Sequence, residues 1–201
     1  MIETYKIYKE KQQKLHAKIL KNISKTDKLR KGYDILGVLK GNEVILSTQE
    51  EAAVAFDFNI YEKIEDNKNA VDLYIENSNA EDEVESELLK HMTDANTSLY
   101  KVQSVNKEEH TLILEDLFNI KEQVTIIDTE LAETCTIDSM IFLRIIKLDK
   151  FNISSGMSMV FNANHKDYLL RKIKKNSKKI AIEDEVIKKF ISFFQLNREE
   201  K

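Results

Sequence analysis

SLYKVQSVN (98–106), HTLILED (110–116), EQVTIID (122–128), MIFLRIIKL (140–148), FNIS (151–154) and MSMVF (157–161) decide the fold of this chain. Leu99, Lys101, Gln103 and Val105 alternate with Tyr100, Val102 and Ser104, the period of two that belongs to strands. Asn106 to Glu109, Phe118 to Lys121 and Asp149-Lys150 read as turns, and Thr129 to Asp138 as a polar loop. Linkers this short bring antiparallel neighbours together. Five strands so joined predict an antiparallel sheet or small barrel. Gly156 is expected to permit a bulge or bend before Met157.

Outside that block the period is helical. Tyr5, Tyr8, Leu15, Ile19 and Ile23 form one stripe of a long first helix, interrupted by Gln12 and ended by Gly32-Tyr33-Asp34. Ile35 to Leu39 and Val44 to Leu46 read as a short hairpin. Ser47 and Glu50 then have the spacing of a capping box, opening a helix over about 48–64. The acid run Ala80 to Glu87 reads as the first turns of another helix, where carboxylates meet the positive dipole end; its spacing is not that of a calcium loop. Asn164 can cap a further helix, and the last carries Val186, Ile187, Phe190, Ile191, Phe193, Phe194 and Leu196, a face wider than a surface helix needs. The expected class is α+β: a helical region over 1–96 with its hairpin, a β-domain over 97–163, and helices over 164–201 packed on it.

The 201 residues contain no proline, four glycines and one cysteine, Cys135. The glycines have neither Walker nor dinucleotide spacing, and a lone cysteine excludes an intramolecular disulfide and a thiolate-rich metal site. With no signal-like N-terminus and no apolar run near the roughly 20 residues of a membrane span, the expectation is a cytoplasmic protein. The net charge of −4 is unevenly spread: residues 1–31 carry +7, residues 32–96 carry −12, and residues 164–201 carry +5. Opposite fields attract, so the basic ends are expected to pack beside the acidic segment. Overall acidity makes a nucleic-acid partner unfavourable.

No residue pattern assigns a reaction. His16, His91, His110 and His165 lie on separate elements, without a His or Cys partner at metal spacing. Cys135 has no adjacent activating group, although His165 could approach it in space. Glu115, Asp116, Asp128 and Glu130 stand at strand ends, where a general acid and base could be built but where turns also call for acids. Arg144 interrupts an apolar strand, so burial there would demand a carboxylate such as Asp116 or Asp128; an anionic ligand is the alternative. Tyr100 and Phe151, with Lys166, Arg171, Lys172, Lys174 and Lys175, are the residues a single strand of nucleic acid would need. The candidate ligand or partner contacts are Arg144, Lys172, Lys175, Phe190 and Phe194, with no catalytic residue, cofactor or metal set read from the sequence.

The cadence of Ser98-Leu99-Tyr100-Lys101-Val102, Leu112 to Leu117, Asp138 to Arg144 and Ser155-Gly156 resembles a small β-module of uncharacterised bacterial proteins, some of which carry a SEC-C zinc motif. The resemblance covers about residues 97–162 and implies the fold, with no catalytic residue. This chain lacks the cysteines of a SEC-C motif, so it implies no zinc there. The expected function is a non-enzymatic interaction or adaptor module, with self-association through the first or last helix as one mode. A nucleic-acid-associated barrel and a hydrolase using strand-end carboxylates are the alternatives.

Overall fold

The computed structural model describes residues 1–199 except Asp66, Ile120, Lys121 and residues 162–165. The expected cap at Asn164, the position of His165 and the end of the turn at Lys121 lie outside the described residues. Two compact units divide the chain, residues 1–96 with 144–157 and residues 97–143 with 158–201.

In the first unit, α1 (Ile2–Ile23) and α2 (Lys28–Ile35) replace the single long helix expected from sequence. Gly32 lies within α2 instead of ending it. A Cβ at Gly32 would stand 2.0 Å from Asn59 Oδ1, so the missing side chain is what lets α3 (Gln49–Tyr61) approach. The hairpin shrinks to β1 (Leu39–Lys40) and β2 (Glu43–Val44), because Ile35 belongs to α2. The cap of α3 is one residue later than expected: Thr48 accepts from the Glu51 N–H, and Glu51 accepts from the Ser47 N–H. Asn69 and Asp72 form a reciprocal capping box on α4 (Ala70–Asn77). Asp82 caps α5 (Glu83–Met92), so the acid run does open a helix.

Charge complementarity ties α1 to α5 in this unit. Lys11 pairs with Asp82 at 2.6 Å, and Lys18 meets Glu81 at 2.7 Å and Glu85 at 3.0 Å. Lys31 also pairs with Glu65. Beneath the charges, the stripe Tyr5, Leu15, Ile19 and Ile23 is buried, and so is Gln12, which the stripe had only appeared to lose.

The strands are β3 (Asn96–Asn106), β4 (Thr111–Asp116), β5 (Gln123–Ile127), β6 (Met140–Lys147) and β7 (Asn152–Phe161). They close a barrel in the order β3-β4-β5-β7-β6. Pairing of β3 with β4 and of β4 with β5 is antiparallel, but the barrel as a whole is mixed, which corrects the antiparallel expectation. A closed ring of five strands cannot alternate direction throughout, so at least one neighbouring pair is parallel. The expected polar loop contains a helix, α6 (Thr129–Thr134), capped by Asp128, and β7 takes the place beside β5. Such a connection frees the next strand from hairpin geometry. Gly156 adopts φ +99° inside β7, a conformation that suits glycine.

Strand β6 is buried on both faces, so it reads as a nearly continuous apolar run. In the second unit its Phe142 ring stacks on Phe193 of α8 (Glu185–Glu199), with centroids 4.1 Å apart, and meets Phe190 edge-on. Phe118 and Phe161 also meet Phe193. Helix α7 (Lys166–Ser177) contributes Leu169 and Ile173 to the interior.

Candidate functional site

In the first unit Arg144, on β6, gathers a dense polar constellation. Its Nε donates to Asp57 at 3.0 Å, one terminal nitrogen donates to Glu62 at 2.5 Å, and the other to the Ala95 carbonyl at 2.7 Å. The guanidinium also lies 4.6 Å from the centre of the Tyr61 ring. The Ser155 hydroxyl donates to the second oxygen of Asp57 at 2.5 Å. Arg144 is 2% exposed, and Asp57 and Glu62 are buried with it. Burial alone would pull the guanidinium pKa down, but the Asp57 and Glu62 charges hold it above its ordinary value.

The network continues through neutral groups. His16 Nε2 and the Tyr61 hydroxyl are 2.8 Å apart, and Gln12 Nε2 donates to the Ser154 carbonyl at 3.2 Å. Burial, followed by the positive charges of Lys9 and Arg144, lowers the His16 pKa to about 3. Burial and the Asp57 charge raise that of Tyr61 well above a free phenol. The expected partners Asp116 and Asp128 are not those of Arg144. Asp57 and Glu62 lie more than eighty residues earlier and reach it only because α3 packs there, a proximity that no local pattern encodes.

The strand-end carboxylates have separate partners. Asp116 accepts from the Ser98 hydroxyl at 2.7 Å and from the backbone N–H groups of Phe118 and Asn119. Burial opposes its ionisation, yet these bonds keep its pKa below the usual carboxylate value. Asp128 accepts from the N–H groups of Glu130 and Leu131 at the start of α6, while Glu115 receives a bond from Gln103. Cys135 is buried after α6, and burial raises its thiol pKa, which is the opposite of activation.

Among the sequence candidates, Phe190 and Phe194 have no exposed surface, so their rings fill the core. Lys172 pairs with Glu199 at 2.8 Å and lies over the Tyr168 ring. Lys175 is exposed in the last turn of α7. Tyr100 is 6% exposed, and Phe151 packs edge-on against Tyr8. Neither ring stands out as a stacking platform.

A second constellation in the first unit escaped the sequence reading. Glu87 and His91 lie four residues apart on α5, and Asp149 lies in the turn after β6. Their ligand atoms all fall within 4.8 Å of one another. His91 Nε2 is 3.0 Å from Asp149 Oδ1, and the Asp149 N–H donates to Glu87 Oε1 at 3.0 Å. The Tyr8 hydroxyl donates to Glu87 Oε2. Asp149 and Glu87 line a shallow groove of about 560 Å³ with Ala80, Asp82, Glu83, Ser86 and Lys90. The helical spacing of Glu87 and His91 was visible in the sequence, but the approach of Asp149 was not. The partners of this imidazole are carboxylates, which no His or Cys spacing marks.

The chain belongs to DUF7986, a family of unknown function whose match spans residues 1–201. That match extends well beyond the β-module resemblance over 97–162. No curated protein and no solved structure matches the chain.

Proposed function

We propose that this member of a family of unknown function acts by binding, as a non-enzymatic interaction or adaptor module of the cytoplasm. One observation carries the reading: the most reactive-looking constellation, around Arg144, is enclosed and directed at its own carboxylates. Groups so committed hold a structure together and do not meet a substrate. The same commitment of Asp116 and Asp128 to backbone caps weakens the hydrolase alternative, and the burial of Tyr100 weakens the nucleic-acid alternative. Apart from the exposed Val186, the apolar face read for α8 is buried, as are Tyr5, Leu15, Ile19 and Ile23 of α1, which favours a different partner over self-association through those helices. Among the described residues no helix is long and apolar enough to cross a membrane.

The test has two arms. Crosslinking in the source cells, read by mass spectrometry, is expected to give a defined set of protein adducts. The purified chain is expected to turn over no ester, phosphoester, glycoside or peptide substrate. Turnover abolished by Glu115→Gln would overturn the reading in favour of a hydrolase.

A further inference from the structure

We propose that Glu87, His91 and Asp149 form a binding site for a divalent transition cation of the zinc or manganese class. The site goes beyond the binding role argued above and does not depend on it.

The donor set is the first argument. One imidazole and two carboxylates match the mixed nitrogen and oxygen preference of these ions, whereas calcium and magnesium are served by oxygen alone. Spacing is the second. Ligand atoms about 2.1 Å from a shared ion stand about 3 to 3.5 Å apart. His91 Nε2 and Asp149 Oδ1, at 3.0 Å, already have that separation, and the widest gap in the cluster is within 4.8 Å.

The surroundings give the third argument. Tyr8 donates to Glu87 Oε2, the kind of outer hydrogen bond that orients a ligating carboxylate. Glu87 Oε1 accepts from the Asp149 backbone, which fixes the turn against the helix. Each carboxylate oxygen keeps a second lone pair for a metal. Lys90 opposes a cation there, its Nζ 3.8 Å from Asp149 Oδ1 on a largely exposed side chain that can swing away.

The full-length chain, stripped with chelator, should be titrated calorimetrically with Zn²⁺ and Mn²⁺, and in parallel with Mg²⁺ and Ca²⁺. The expected result is saturable one-to-one binding of Zn²⁺ or Mn²⁺ and none of Mg²⁺ or Ca²⁺ at the same concentrations. His91→Ala and Asp149→Asn should weaken it tenfold or more, and Tyr8→Phe about tenfold through lost ligand orientation. Lys90→Gln should tighten it several-fold, a change that a purely structural cluster would not produce. Asp149→Asn sits in an exposed turn, and its unchanged circular dichroism would separate lost binding from lost folding. Absence of saturable binding, or binding that His91→Ala and Asp149→Asn leave intact, would overturn the proposal.

Discussion

His16 and Tyr61 share a hydrogen bond beside Arg144, and the consequence is a pH dependence with a definite sign. Burial, with Lys9 and Arg144 nearby, holds the folded imidazole neutral down to a pKa of about 3, against about 6.5 in the unfolded chain. As pH falls below about 6.5 the unfolded state takes up a proton that the folded state refuses. Stability from this group is therefore complete at neutral pH and is lost between about 6.5 and 3. The slope is at most about 1.4 kcal/mol per pH unit. Urea unfolding of His16→Gln should show a shallower acid limb than the parent protein, and equal slopes would contradict the assignment. At this scale the sequence was partly legible. Arg144 within Met140 to Leu148 announced that a buried guanidinium would need carboxylates. It could not say that Asp57 and Glu62 would supply them, because they share no local register with β6. Nor could Gly32 reveal its role, since Asn59, the side chain it accommodates, comes from another helix.

Helix α8 illustrates what an element contributes. Its width, noted in the sequence as more than a surface helix needs, is explained by burial of Phe190, Phe193 and Phe194 within the second unit. Phe193 touches Phe118, Phe142 and Phe161, so truncation removes ring contacts with residues of β6, β7 and the turn after β4. Phe193→Ala should cost about 3–5 kcal/mol in chemical denaturation. A loss below about 1 kcal/mol would mean that α8 does not seal the second unit. The five strands were readable because alternation and turn residues act locally. The six residues of α6 were not, because a helix so short has almost no periodicity of its own and depends on the Asp128 cap.

For the molecule as a whole, the uneven charge along the chain was a guide to its first unit, whereas in the basic C-terminal segment Lys172 and Lys188 pair with Glu199 and Glu185 of the same segment. The positive first segment and negative second one meet as Lys11, Lys18 and Lys31 on Asp82, Glu81, Glu85 and Glu65. The closing order of the barrel was less accessible, since it depends on which strand lies beside β5 after the chain has passed through α6. Function follows the same division. Local patterns named isolated candidates, while folding committed Arg144, Asp116 and Asp128 to structure and assembled Glu87, His91 and Asp149 where no motif pointed. The claim that the Arg144 constellation is architectural is tested most directly by urea unfolding of Arg144→Met beside the triple variant Arg144→Met, Asp57→Leu, Glu62→Leu. The single change strands two buried acids and should cost about 3–5 kcal/mol, whereas the triple change removes the whole ionic set and should recover most of that loss. Parent-like stability of Arg144→Met would contradict the account.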